Sequence, residues 1–316
     1  MQKQLLVSDL EGVWISGDIA AQCLPFISNI TGHELYRSTF PMLSEWVYNK
    51  VLRGDRSIPD VGPEVYGGTL RYVAPFIAAY MDEGRLNNLV RESCSLMPDA
   101  EKTISYLQSH GFIIYLVSTA YSQQVYLAAK RLGISDERVT CTPLNFSQFS
   151  LAGPHTRLDE ILDITRVYRD GVNIDGQLTD FFTGLLNTQY GEILTRVNPM
   201  GGTRKTDECL KICDQEKVNM DDVFTLGDSV TDGHLEHGIS MAFCATRDAL
   251  KMARTGIVSP TTRKIGSALT NYPDIYEIDG IDDLEELKQH PSNFKALVER
   301  HDRMRQRLRG KLGGKI

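Results

Sequence analysis

The sequence contains no apolar run long enough to cross a membrane. Its longest mostly apolar run, residues 72–81, is interrupted by Pro75, whereas a transmembrane helix needs about 20 apolar residues. The N-terminus also lacks the sustained apolar core and small-residue cleavage site of a signal peptide. We therefore expect a cytoplasmic protein with no membrane partner.

Cysteine is scarce and never closely paired. Six cysteines are scattered along 316 residues, and no two of them form a Cys-x-x-Cys motif. This usage favours buried thiols in a reducing compartment over a disulfide framework.

Positive charge is in short supply over most of the chain. The net charge is −7, yet residues 294–316 hold eight basic and two acidic side chains, so the rest of the chain carries −13. A body this acidic repels a phosphate backbone, and we expect no nucleic-acid partner. The basic segment is a candidate contact for an acidic partner or for a second copy of the chain in a homodimer.

Short apolar runs alternate with helical patterns along the chain. Each run is bounded by turn residues and followed by a loop and a helical periodicity; the runs are residues 5–7, 112–117, 223–226, 241–244 and 275–278. This alternation predicts an α/β fold with a parallel sheet flanked by helices.

Two long excursions interrupt this alternation. About a hundred residues with helical periodicity separate the first two strands, far more than a crossover needs. We predict a core of residues 1–17 and 96–290 that is interrupted by a helical cap domain, residues 18–95. A smaller insertion at about 143–202 contains a helix near 157–169 and suggests a hairpin. Residues 291–316 are predicted to form a basic C-terminal helix and tail.

Two pairs of carboxylates follow predicted strands. Asp9 and Glu11 follow the first strand, and Asp228 and Asp232 follow Gly227 at the end of another. The carboxyl ends of parallel strands are where ligands bind in α/β sheets. Each Asp could instead serve a turn or a helix cap, but acids that converge destabilise one another unless they hold a cation. Oxygen ligands without His or Cys favour Mg²⁺.

Anion-binding groups are expected at the same edge. Ser118 and Thr119 end the second predicted strand, and their hydroxyl and N–H groups suit phosphoryl oxygens. Lys205 lies at a helix start, where the helix dipole disfavours a cation unless it meets an anion.

Four of these segments, in their order along the chain, resemble the four motifs of the haloacid dehalogenase superfamily of phosphohydrolases. They are the segments of Asp9 and Glu11, of Ser118, of Lys205, and of Asp228 and Asp232. The resemblance implies a Rossmann-like three-layer α/β/α core, and an insert between the first two motifs is similar to the helical C1-type cap of the phosphoserine phosphatases. The string Asp9-Leu10-Glu11-Gly12-Val13 is similar to that of the phosphoserine phosphatase and phosphoserine:homoserine phosphotransferase group. It also resembles proteins labelled energy-converting hydrogenase A subunit R.

The resemblance implies roles for the acidic residues. Asp9 would be the nucleophile that forms an aspartyl-phosphate, and Glu11 the general acid and base, at a position where most phosphatases of this superfamily carry Asp. Mg²⁺ would be held by Asp9, Asp228 and the backbone carbonyl of Glu11. Asp232 would lie behind these ligands and orient a metal-bound water or Lys205.

The same resemblance implies a phosphate-binding set of Ser118, Thr119 and Lys205, of which Ser118 and Lys205 also belong to the catalytic set with Asp9 and Glu11. The expected activity is Mg²⁺-dependent hydrolysis of a small phosphomonoester. Two alternatives stay open at this point: a phosphotransferase that passes the phosphoryl group to an acceptor hydroxyl, and a non-catalytic accessory subunit with the same fold.

Other residues are weighed and mostly interpreted as structural. The cap arginines Arg53, Arg56 and Arg71 are candidate partners for a substrate anion. His234 and His237 are interpreted as structural, and Cys209 and Cys213 as packing residues one helical turn apart. The segment Tyr66-Gly67-Gly68 is too short to predict a phosphate loop.

Overall fold

The computed structural model describes residues 4–55, 66–146, 156–257 and 261–270. A parallel sheet of six strands forms its centre, in the spatial order β5-β4-β1-β6-β7-β8. The strands are β1 (Gln4–Ser8), β4 (Phe112–Tyr121), β5 (Val139–Thr142), β6 (Phe224–Gly227), β7 (Ile239–Phe243) and β8 (Thr255–Ile257).

The sheet is covered by helices on both faces. Successive residues of a strand point to opposite faces. Leu6 accordingly belongs to one hydrophobic cluster, and Leu5 and Val7 belong to another. Five of the helices that the structure describes flank the sheet: α5 (Ala100–Ser109), α6 (Ser122–Leu132), α10 (Thr203–Glu216), α11 (Arg247–Met252) and α12 (Arg263–Thr270). Residues of α5, α6 and α12 share the cluster of Leu6, and residues of α10 share that of Leu5 and Val7, so the core has three layers.

The remaining described helices form a helical body beside the sheet. They are α1 (Ile19–Thr31), α2 (Tyr36–Arg53), α3 (Thr69–Tyr80), α4 (Glu83–Ser93), α7 (Thr156–Arg169), α8 (Asp175–Leu186) and α9 (Gln189–Arg196). Buried side chains from all seven belong to one hydrophobic cluster. A two-stranded antiparallel ribbon of β2 (Ile15–Ser16) and β3 (Ser95–Leu96) joins α1 and α4 to the core.

Partly buried polar contacts join the two excursions of the chain within this helical body. Tyr36 of α2 donates a hydrogen bond of 3.0 Å to Asp159 of α7. Trp46 of α2 donates one of 2.8 Å from Nε1 to Asp175 of α8 and stacks on Phe182 at 5.5 Å. The second insertion therefore packs on the cap helices.

The α/β fold with a parallel sheet is confirmed. The apolar runs at 5–7, 112–117, 223–226 and 241–244 correspond to β1, β4, β6 and β7. The expected hairpin in the second insertion is wrong for the described residues: the turn at 170–173 joins two helices, α7 and α8, whose apolar faces are buried against α2 and α3. The predicted domain boundaries stay predictions. The run at 275–278 and the basic segment 291–316 lie outside the described residues, and no described helix is long and apolar enough to span a membrane.

Candidate active site

The candidate site lies at the carboxyl ends of β1 and β6, beside the neighbouring strand β4. Ser8 of β1 is in register with Leu116 of β4 and Leu226 of β6. Asp9, one residue beyond β1, donates a backbone hydrogen bond of 2.8 Å to Leu226. Asp228 directly follows β6. The predicted convergence of these segments at one edge of the sheet is therefore present.

A buried lysine joins two of the acids. Lys205 Nζ lies 2.8 Å from Asp9 Oδ1 and 2.6 Å from Asp232 Oδ1, and all three side chains are buried. Burial alone would lower the pKa of Lys205, but the Asp232 and Asp9 carboxylates raise it above its usual value. The lysine therefore stays charged in a position that water does not reach.

In Asp9, burial and a neighbouring charge favour the neutral form of the side chain. Burial and the Asp232 charge raise the pKa of Asp9 to about 7, although Lys205 works in the other direction. Burial and the Asp232 carboxylate therefore favour the neutral form of Asp9, and the Lys205 ammonium opposes them.

Asp232 fixes both the lysine and the loop after β6. While Oδ1 accepts the bond from Lys205, Oδ2 accepts backbone N–H bonds from Asp228 at 2.8 Å and from Ser229 at 2.9 Å. A Cβ at Gly227 would lie 2.5 Å from this second oxygen, so the strand end needs glycine there. Both carboxylate oxygens of Asp232 are therefore already engaged by protein groups.

Glu11 carries a carboxyl oxygen, Oε1, that is buried and has no hydrogen-bond partner. Burial raises the pKa of Glu11 well above its usual value, and the charges of Asp18, Asp9 and Asp228 raise it further. Burial and these charges therefore work against ionisation of the Glu11 carboxyl.

The acidic cluster is suited to a hard cation. Asp9, Asp228 and Asp232 each place one carboxylate oxygen within 4.8 Å of those of the other two. Gly12, with φ of +76°, brings the backbone so close to Asp228 that a Cβ there would collide with its carboxylate. Oxygen donors without sulfur or nitrogen match Mg²⁺. Because Asp232 is engaged elsewhere, Asp9 and Asp228 are the side chains that fit as ligands.

A cavity of about 640 Å³ opens from this cluster toward the helical body. Asp9, Glu11, Thr119 and Asp228 line its core side. Another part of the lining is largely apolar and comes from α2, from the start of α3 and from Tyr66 just before it: Phe40, Val47, Tyr48, Tyr66, Thr69 and Leu70. A small organic substrate fits a cavity of this size and character.

Of the three predicted phosphate-binding residues, one lines the cavity and two lie behind its lining. Thr119 lines the cavity, and Lys205 reaches its edge only through Asp9. Ser118 is fully buried outside the lining, and its hydroxyl oxygen accepts a bond of 3.3 Å from the Ala120 N–H.

The cap arginines are not part of the described cavity lining. Arg53 is exposed and lies 3.6 Å from Asp175, and Arg71 is buried with its Nε donating to the Val197 carbonyl at 3.0 Å. Arg56 lies outside the described residues. Asp18, which caps α1, lines the cavity instead. The sequence does not reveal this position, because an Asp before a helix is expected to be an N-cap whether or not it also lines a cavity.

The residues interpreted as structural occupy structural positions. His234 is buried with Nε2 3.1 Å from the Leu226 carbonyl, and burial lowers the pKa of His234 to about 4. Cys209 and Cys213 pack in the cluster between α10 and the sheet. The segment Tyr66-Gly67-Gly68, by contrast, lies at the cavity: Tyr66 and Gly67 line it.

No protein-family model and no curated protein sequence matches this chain. Among solved structures, a gene product of Archaeoglobus fulgidus is similar with a TM-score of 0.78 and 24% identity, over 99% of this chain and 98% of that one. A phosphoserine phosphatase, solved as a phospho-aspartyl intermediate analogue, has a TM-score of 0.55 and 14% identity over 84% of this chain and 98% of its own.

A haloacid dehalogenase family hydrolase from Salmonella enterica has a TM-score of 0.51 and 10% identity, over 80% of this chain and 67% of its own. The chain therefore has the haloacid dehalogenase fold in its phosphoserine-phosphatase-like form.

Proposed function

We propose that this chain is a Mg²⁺-dependent phosphatase that hydrolyses a small-molecule phosphomonoester through an aspartyl-phosphate on Asp9. The observation that carries the proposal is the triad of Asp9, Lys205 and Asp232 beneath a cavity that Glu11 also lines. A purely binding protein has no need of so many buried acids, because their mutual repulsion destabilises the fold. The fold shared with a phosphoserine phosphatase supports the same reaction class.

In the first half-reaction, an Asp9 carboxylate oxygen attacks the phosphorus atom in line. The bond from phosphorus to the ester oxygen breaks, and the Glu11 carboxyl gives its proton to the departing alkoxide. Burial and the neighbouring carboxylates raise the pKa of Glu11 and so favour the protonated carboxyl that this step uses. Lys205 holds Asp9 in place and offsets its negative charge at 2.8 Å.

In the second half-reaction, the Glu11 carboxylate removes a proton from water. The oxygen of that water attacks phosphorus, the bond to Asp9 breaks, and inorganic phosphate leaves. Glu11 is then protonated again and Asp9 is free.

Mg²⁺ would be held by Asp9, Asp228 and the backbone carbonyl of Glu11, and when bound it would reduce the repulsion between the Asp9 carboxylate and the phosphate dianion. The donor chemistry and the close approach of Gly12 to Asp228 support this assignment.

Phosphate release from a panel of phosphorylated metabolites, with Mg²⁺ and with EDTA, tests the proposal. We expect release that depends on Mg²⁺ and that is unchanged when an acceptor alcohol such as homoserine is added. Phosphate release that falls as a phosphorylated acceptor accumulates would identify a transferase instead. No turnover of any ester by the folded, Mg²⁺-loaded protein would contradict the proposal.

A further inference from the structure

One side of α2 lines the cavity with mostly apolar side chains. Its lining residues are Phe40, Ser44, Val47 and Tyr48, and their spacing places them on one side of a helix with 3.6 residues per turn. Tyr66, just before α3, lines the cavity as well. Three aromatic rings and a valine therefore border the space in which the alcohol part of a phosphomonoester would lie.

The second insertion fixes the orientation of α2. Thr39 shares a buried hydrogen bond of 3.0 Å with Thr165 of α7. Trp46 stacks on Phe182 of α8 and donates to Asp175 at 2.8 Å. Because these contacts occupy one side of α2, its other side stays turned toward the cavity. None of the described lining residues comes from α7, α8 or α9, so these helices act on the cavity only by holding α2.

Two of the lining rings are paired. The ring centroids of Tyr48 and Tyr66 lie 5.9 Å apart, with their planes tilted by 42°, and Tyr48 is still 38% exposed. Covering exposed aromatic surface with an apolar ligand group is favourable, and contacts between rings add to the effect of buried area. A cavity of about 640 Å³ has room for a further ring together with a phosphoryl group.

The charges of the lining disfavour a second anionic group on the substrate. Asp18 lines the cavity with Asp9, Glu11 and Asp228, and the described residues of the lining include no Lys, Arg or His. A carboxylate on the alcohol part would meet the negative charge of Asp18 without a cation from these residues to offset it. The described lining therefore favours an alcohol without a carboxylate.

We propose that the substrate is the phosphomonoester of an alcohol that carries an aromatic ring and no charged group, and that this ring is bound by Phe40, Tyr48 and Tyr66. The proposal deepens the proposed function and rests on it. Asp9 and Glu11 act on the phosphoryl group and the ester oxygen, whereas the aromatic side chains select the alcohol.

A pair of matched esters tests the substrate class. 3-Phenylpropyl phosphate and propyl phosphate release the same kind of primary alkoxide and differ only in a ring far from the reacting oxygen. We expect kcat/KM to be about tenfold higher for 3-phenylpropyl phosphate, within the range by which an apolar pocket discriminates. Phosphoserine and phosphoethanolamine complete the panel. The proposal is overturned if any of these three other esters matches or exceeds 3-phenylpropyl phosphate.

Substitutions of α2 test which residues bind the ring. Tyr48→Ala should lower the ratio of kcat/KM for 3-phenylpropyl phosphate to that for propyl phosphate by about tenfold, because it removes ring contacts and apolar area. Tyr48→Phe should keep the ratio, since it retains the ring. Ser44→Phe should lower the ratio, because a new ring on the same side of α2 occupies the space.

Tyr126→Ala is the matched control for these variants. Tyr126 is 41% exposed, close to the exposure of Tyr48, but it lines a different cavity, so we expect the ratio to stay the same. Circular dichroism melting shows whether each variant is folded. An unchanged ratio in folded Tyr48→Ala and Ser44→Phe would overturn the assignment of the ring to this side of α2.

Binding of phosphonates separates this proposal from the proposed function. 3-Phenylpropylphosphonate and propylphosphonate have a carbon–phosphorus bond in place of the ester and are compared by isothermal titration with Mg²⁺ present. Tighter binding of the first that depends on Tyr48, in a protein that hydrolyses no ester, would remove the phosphatase proposal and leave the ring-binding site. Turnover of esters together with equal affinity for the two phosphonates would remove the ring-binding site alone.

Discussion

Lys205 Nζ lies 2.8 Å from Asp9 Oδ1, and neither side chain is open to solvent beyond 5%. The two residues come from segments 196 positions apart in sequence, so only the folded sheet edge brings them together. Breaking a buried ion pair by removing one partner costs about 3–5 kcal/mol, because a buried charge is left without compensation.

Lys205→Met should therefore lower the free energy of unfolding by about 3–5 kcal/mol in the absence of Mg²⁺. Urea denaturation followed by fluorescence measures the change. Lys211→Met is the matched control: the Lys211 side chain is 72% exposed in its pair with Glu208, and exposed pairs contribute about 0–1 kcal/mol. Equal losses in the two variants would contradict the role assigned to Lys205.

Glu11 should tolerate loss of length better than loss of its proton. Glu11→Gln is expected to lower kcat by about 10²- to 10⁴-fold, the usual contribution of a general acid or base, while Glu11→Asp should retain a measurable part of the rate. Steady-state kinetics with one substrate compares the two variants. If Glu11→Gln turned over as fast as the unaltered enzyme, Glu11 would have no part in proton transfer.

Gly12→Ala should weaken Mg²⁺ activation by about 10- to 100-fold, the range expected when a group that supports a metal ligand is altered. A Cβ at this position collides with the Asp228 carboxylate. Gly111→Ala is the control, because Gly111 also has positive φ, at +86°, but its Cβ meets no atom within 4 Å. Activity as a function of Mg²⁺ concentration is the measurement. A similar loss in both variants would attribute the effect to backbone strain.

Asp175→Asn should destabilise the helical body in a pH-dependent way. Asp175 accepts bonds from Trp46 and Lys50, and the Lys50 hydrogen bond lowers the pKa of Asp175 below its usual value, against the effect of burial. A lowered pKa stabilises the folded state above pH 4, and this stabilisation disappears as the pH falls through the folded-state pKa. We expect a loss of about 1–2 kcal/mol at pH 7 that shrinks below pH 4.

Thermal melting at several pH values measures this loss. Asp163→Asn provides the comparison, because Asp163 pairs with Arg166 on an exposed helix surface. A loss in Asp175→Asn that is the same at pH 7 and pH 3 would show that the charge of Asp175 does not matter.

The sequence predicts the part of this site at the sheet edge better than the part of the cavity wall that the helical body provides. The strands β1, β4 and β6 are recognisable because a polar residue follows each apolar run, namely Ser8, Ser118 and Asp228. Their parallel arrangement brings these parts of the chain to the same edge of the sheet. Asp232 and Lys205 follow from the same order of segments. The contact between them depends on side-chain burial, which local pattern does not reveal.

The cavity wall from the helical body depends on packing between segments that are distant in sequence. The start of α3 meets Thr119 across 52 positions of sequence, and nothing in Tyr66-Gly67-Gly68 itself indicates that contact. The helices α7 to α9 likewise join the cap because their apolar faces match those of α2 and α3. Periodicity predicts that such a face is buried but does not identify the surface that covers it.

The most direct test of the account is whether Asp9 itself becomes phosphorylated. The enzyme is mixed with a turned-over phosphomonoester and Mg²⁺, quenched in acid during steady-state turnover, digested and examined by mass spectrometry, with Asp9→Asn as the control. The account predicts one phosphoryl group on the peptide that contains Asp9, none in Asp9→Asn, and no turnover by that folded variant. Undiminished turnover by Asp9→Asn, with no phosphorylated peptide in the unaltered enzyme, would contradict it.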